Sequence, residues 1–118
     1  MDNLVLDKSK AFAIRSVKLY QYLTEEKREF ILSKQMLRSG TSIGANCREA
    51  VRAQSKADFV AKLNISLKEA DETSYWIELL YETGYLNDRQ YTDIYRDVDE
   101  LIKILVSIIK SAKNGQSQ

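Results

Sequence analysis

Ser55-Lys56-Ala57-Asp58-Phe59-Val60-Ala61-Lys62-Leu63-Asn64-Ile65-Ser66-Leu67-Lys68-Glu69-Ala70-Asp71-Glu72-Thr73-Ser74-Tyr75-Trp76-Ile77-Glu78-Leu79-Leu80-Tyr81-Glu82-Thr83-Gly84 is the stretch that decides the fold. Val60, Leu63, Leu67, Ala70, Ser74, Ile77 and Tyr81 fall at alternating steps of three and four, the a and d spacing of a helical heptad seam. Phe59, Trp76 and Leu80 widen the apolar surface. Ser55 is placed to cap the free amides at the start, and Asp58 suits the positive helix end. Gly84 follows the last turn as a left-handed C-terminal cap. The stretch therefore predicts one helix of about 27 residues, about 40 Å long.

Moving toward the C-terminus, Asn87 reads as the next N-cap, with Gln90 as its capping-box partner. Tyr91, Ile94, Val98, Leu101, Leu105, Ile108 and Ala112 repeat the heptad spacing, and Ile102 and Ile109 add a second stripe. Lys110 and Lys113 suit the negative helix end. Toward the N-terminus a second helix is predicted from Glu26 or Arg28 to Gln54. It opens with Phe30, Ile31, Leu32, Met36 and Leu37. It then crosses Ser39-Gly40-Thr41-Ser42-Ile43-Gly44-Ala45-Asn46, a weak helix former for which a loop is the alternative. Ile43, Cys47 and Ala50 continue the spacing, and small residues let another backbone come close, so helix is the reading adopted. A first helix is predicted from Lys8 to Thr24, with Ala13, Val17 and Tyr20 on one face and Ile14 and Leu23 widening it. Short links make neighbouring helices antiparallel. The expected fold is all-α: one up-down-up-down four-helix bundle over residues 1–118, with a core from about 8 to 113 and a frayed tail at 114–118.

Composition agrees with this. The 118 residues include no proline, four glycines and 44% apolar residues. A β-sandwich of this length would need turn residues that are missing. Net charge is +1, so no global field points to nucleic acid or membrane. One cysteine excludes an internal disulfide and fits a reducing, cytoplasmic setting. No run is long enough to span a membrane, and residues 1–10 do not read as a signal peptide. Histidine is absent, which removes the usual general base and the commonest metal ligand. No catalytic residue, cofactor, resident metal or small-molecule substrate is expected.

The segment Arg38-Ser39-Gly40-Thr41-Ser42-Ile43-Gly44-Ala45-Asn46 with Glu49-Ala50 resembles the signature of a family of small four-helix-bundle proteins. These were first noticed as reading frames within 23S ribosomal-RNA intervening sequences. Ser55 to Phe59, Lys68 to Thr73, Tyr75-Trp76, Leu79-Leu80 and Gly84-Tyr85-Leu86 extend the likeness from about Phe12 to Lys113. Many members have proline at the position of Gly44, and isoleucine and glycine at those of Cys47 and Ala50. The resemblance implies an all-helical protein that assembles into rings of five, with no enzymatic activity. A related branch, the accessory proteins of diversity-generating retroelements, binds nucleic acid and a reverse transcriptase through a basic surface.

Several residue groups compete for a functional role. Arg38, Asn46 and Glu49 share one stripe of helix two and would form a buried polar cluster that fixes register or subunit pairing. Glu69, Asp71 and Glu72, with Glu49, would make an all-oxygen metal site, or would pair with Lys62, Lys68, Arg38 or Arg48. Pairing is the reading adopted. Cys47, Ser39 and Ser42 lack a base to activate them. Lys27, Arg28, Lys34, Arg38, Arg48, Arg52, Lys56 and Lys62 make helix two and its flanks basic. Asp88, Asp93, Asp97, Asp99 and Glu100 make the early fourth helix acidic. The basic group is a candidate surface for a neighbouring subunit or for nucleic acid. Seven tyrosines with Trp76 read first as core and interface residues. The leading expectation is a self-assembling scaffold, with nucleic-acid binding through helix two as the alternative.

Overall fold

Helix caps written into the chain set the architecture. A computed structural model describes residues 3–116 and gives α1 Asn3–Glu25, α2 Leu32–Val51, α3 Lys56–Glu82 and α4 Asp88–Gln116. Ser55 Oγ accepts from the Asp58 amide at 3.0 Å, starting α3. Gly84 sits at φ +90, with the Tyr85 amide donating to the Leu80 carbonyl at 2.8 Å and the Gly84 amide to Tyr81 at 3.1 Å. Those two bonds form a Schellman motif, which ends α3. Asn87 and Gln90 then exchange side chain–backbone bonds of 2.9 and 2.8 Å, the expected capping box.

Successive helices pack side by side, and α4 returns against α1, so the chain is a rod of 51 × 21 × 20 Å. Phe12, Leu23, Met36, Ile43, Leu63, Ile77, Leu80, Leu101 and Leu105 fill its axis. The small-residue stretch of α2 is helical throughout. Its hydroxyls turn back on their own helix: Thr41 donates to the Leu37 carbonyl at 2.8 Å and Ser42 to Arg38 at 2.7 Å. Gly40 and Gly44 face α1. A methyl at Gly40 would overlap the Ser16 hydroxyl, and one at Gly44 would lie 3.3 Å from the Ser9 carbonyl.

Three expectations are corrected. First, α1 starts at Asn3, because Val5 is fully buried and carries the helix back beyond Lys8. Its core face is Val5, Ser9, Phe12, Ser16 and Leu23, while Ile14 and Val17 are exposed. The two serines occupy core positions because they meet the glycine notch of α2. Second, α2 starts at Leu32 and ends at Val51, inside the predicted bounds. Arg28 adopts a left-handed φ of 55, which breaks the chain direction, and the Glu29 side chain caps the start of α2. Third, the fully buried residues of α3 include Ser66, Thr73 and Leu80, whereas Leu67, Ser74 and Tyr81 are half-buried. α3 packs between α2 and α4, and its hydroxyls reach α2. Ser66 donates to the Ile43 carbonyl, and Thr73 bonds Ser39 Oγ, both at 2.8 Å. α4 continues through Gln116, into the segment expected to fray; residues 117 and 118 lie outside the described residues.

Candidate interaction surfaces

The three residues Arg38, Asn46 and Glu49 do not meet. Arg38 and Glu49 are exposed. Arg38 pairs with Glu72 at 2.6 Å and Glu49 with Lys62 at 3.1 Å, while Asn46 donates to its own helix at Ser42. α3 draws Arg38 and Glu49 to separate partners, so within one chain there is no buried cluster of the three. Glu72 also accepts from Trp76 Nε1 at 3.2 Å. Glu72 and Glu49 thus serve α2–α3 pairing, whereas among the described residues Glu69 and Asp71 form no ion pair and Glu69 Oε1 is buried without a hydrogen-bond partner. Lys62 is held protonated to higher pH by its hydrogen bond to Glu49. Such exposed pairs are screened by water and add little to stability. Among the described residues no group of three or more Cys, Asp or Glu side chains is placed to hold a metal ion.

Acidic and basic faces differ in how far they are spent. Every acid singled out on α4 has a partner: Asp88 with Tyr81, Asp93 with Arg96, Asp97 with Arg15, Asp99 with Lys103 and Glu100 with Lys8. On the other side, Lys27, Arg28, Lys34, Arg48, Arg52 and Lys56 are exposed. Among the described residues none of these six has a carboxylate within 4.0 Å. Lys34, Arg38 and Arg48 lie on the outer stripe of α2, at steps a helix brings to one side, and Arg52 is the residue that caps its C-terminal end. Thr41 and Ala45 fill the middle of that stripe. Beside it, Lys10, Ala13, Gly44, Ala45 and Arg48 line a groove of about 490 Å³ between α1 and α2. Its floor is made by the small residues Ser9, Ala13, Gly44 and Ala45, and Lys10, Arg48 and Glu49 also line it.

Three of the seven tyrosines, Tyr81, Tyr91 and Tyr95, close the α3–α4 seam. Tyr81 and Tyr91 stack at 4.2 Å, and Tyr91 meets Tyr95 at 5.1 Å. The Tyr81 hydroxyl donates to Asp88 at 2.6 Å, which raises its pKa; burial first, then Glu78, raises those of Tyr91 and Tyr95. Cys47 is buried against Ser66 Oγ at 3.2 Å, and burial pushes its thiol pKa up, the opposite of nucleophile activation.

Two features escaped the sequence reading. Glu29 is only 8% exposed and its carboxylate accepts from the amides of Ile31, Leu32 and Ser33 at 3.1, 2.9 and 2.7 Å. Burial alone would raise its pKa, but these donors together hold it below the ordinary value. Immediately after this cap, Phe30 and Ile31 are 57% and 75% exposed. Glu29 followed four residues on by Ser33 was the available signal, since the Ser33 hydroxyl returns a bond to the Glu29 carbonyl at 2.8 Å. A further groove of about 490 Å³ lies on α4, floored by Leu4, Ile104 and Ile108.

Helices and caps define a class, the antiparallel four-helix bundle. Within that class the chain belongs to the 23S rRNA-intervening sequence protein family, whose model matches residues 1–107. A crystal structure of a protein of unknown function from the S23 ribosomal protein family of Bacteroides thetaiotaomicron VPI-5482 is similar over nearly its whole length. It is 60% identical, covers 92% of this chain and 96% of its own, and superposes with a TM-score of 0.91. No curated protein sequence matches the chain. No helix among the described residues is long and apolar enough to cross a membrane.

Proposed function

We propose that this is a non-catalytic interaction protein that assembles with copies of itself into a ring-like homo-oligomer, in the cytoplasm. Five copies is the number its family resemblance implies. The observation that carries the reading is apolar surface that a lone bundle leaves wet, above all Phe30 and Ile31 at 57% and 75% exposure. Side chains of this size, exposed together, mark a contact surface. Light scattering after size exclusion tests it: particles of several copies at micromolar concentration are expected, and a strict monomer sinks the reading.

A second reading is favoured by one specific observation. Among the described residues the cations Lys34 and Arg48 on the outer stripe of α2, and Arg52 at its C-terminal cap, have no carboxylate partner. That face suits phosphate backbones, with Lys27, Arg28 and Lys56 extending it. Binding to RNA or DNA would be strongest at low salt and weaken as salt rises. A gel-shift series starting at low salt checks it, and no shift there removes nucleic acid as the partner.

A further inference from the structure

We propose that Phe30 and Ile31 form a knob that seats in the α4 groove of a second copy of this chain, joining copies head to tail. The inference rests on the reading of a self-assembling protein and supplies its contact.

The knob is built, not left over. Glu29 binds three successive amides, and the Glu29 amide itself donates to the Leu23 carbonyl at 2.9 Å. The backbone carrying Phe30 and Ile31 is therefore fixed from both sides, so binding orders little that is not ordered already. Both side chains are nonetheless mostly open to solvent.

Charge selects the occupant. Glu25, Glu26, Lys27 and Arg28 precede the knob, two of each sign, and all are exposed. Glu25 and Glu26 set a negative charge beside each positive one, so the surround of the knob itself does not suit a uniformly anionic lipid surface. It suits a rim that is itself mixed. The α4 groove has that rim, with Arg96 and Lys103 set against Asp99 and Glu100. Its floor is Leu4, which is 45% exposed, with Ile104 and Ile108 half-buried. At about 490 Å³ the groove is ample for one aromatic and one aliphatic side chain. Knob and groove lie on different faces of one chain, so each copy keeps one free of each, the condition for a ring or a filament.

The two parts also lie at different heights. The knob is at the end where α4 begins, while the groove is centred near Lys103, fifteen residues beyond Asp88 and so about 22 Å along the helix. Neighbouring bundles are therefore inclined or staggered, not parallel and in register.

The test uses two variants of the full chain. F30S/I31S removes the knob and leaves the groove. S107W fills the groove from an exposed position and leaves the knob. Circular dichroism should show both folded, since neither alters the core. Each variant alone should associate roughly a hundred-fold more weakly than wild type by sedimentation. Mixed, they should form a one-to-one pair of twice the 13.6 kDa chain mass, because one intact knob meets one intact groove. Wild type that assembles while F30S/I31S assembles equally well overturns the knob and spares self-assembly. The absence of a one-to-one pair on mixing also overturns it. Wild type that stays monomeric overturns self-assembly itself.

Discussion

α1 makes two seams of opposite character. Against α2 it is held by shape at one point of close approach: Ser16 lies against Gly40, where a methyl would overlap its hydroxyl, while Ser9 and Gly44 border the outer groove between the two helices. Against α4 it is held by charge, through the Lys8–Glu100 and Arg15–Asp97 pairs. Grooves of about 270 and 110 Å³ run along that second seam and reach the core residues Ile94, Phe12 and Leu101. The first seam permits one register, because a shift would drive side chains into backbone. The second tolerates movement, because long charged side chains can adjust to it. Specificity in this bundle therefore comes from the residues that are missing a side chain, not from those that carry a charge.

The sharpest way to break this contrast is Gly40→Ala. In an exposed helix that change stabilises by up to about 1 kcal/mol. Here the added methyl overlaps Ser16, so a net loss of about 2 kcal/mol is expected from urea unfolding. Ser16→Ala in the same chain removes the overlapping oxygen and should recover most of it. A stabilised Gly40→Ala variant would mean the seam is not close.

Next in size is Glu29→Ala, which strips the cap that sets α2 beside α1 and should cost about 1.5 kcal/mol. Its pH dependence has a definite sign. The folded pKa lies below the unfolded one, so the contribution is present above the ordinary carboxylate value of about 4.3 and fades as pH falls through the lower folded value. The stability gap between wild type and Glu29→Gln should therefore narrow from pH 7 to pH 3 in denaturant midpoints. Arg28→Gly relieves a left-handed φ of 55 and should stabilise by up to about 1 kcal/mol, read as a rise in melting temperature. Arg15→Ala on the α4 side should cost about 0.5 kcal/mol at low salt and nothing measurable at about 1 M salt. A larger or salt-independent loss would erase the difference between the two seams.

Legibility follows the same division. Ser55 with Asp58, Gly84, and Asn87 with Gln90 were readable because each motif closes within a few residues. The α4 heptad was readable because Ile94, Val98, Leu101 and Leu105 are apolar and buried alike. The core face of α1 was not, since Ser9 and Ser16 become core residues only where another helix offers glycine. Phe30 and Ile31 read as the apolar start of a helix, and only the αL turn at Arg28 puts them outside. Arg38, Asn46 and Glu49 share a stripe, but Glu72 and Lys62, far along the chain, decide where two of them bond. Sequence spacing gives a helix its faces. Which face meets which neighbour depends on volumes that only the assembled bundle sets.

Cys47 gives this molecule a clock. Its thiol is the single one in the chain, lies on the rod's axis beside Ser66, and is kept neutral by its surroundings. A soluble disulfide reagent has no route to it while α2 and α3 stay joined. Labelling must wait for the helices to part, so its rate at saturating reagent counts spontaneous openings per unit time. Timed that way, with and without neighbouring copies bound, one sulfur atom reports how much association slows the breathing of the bundle.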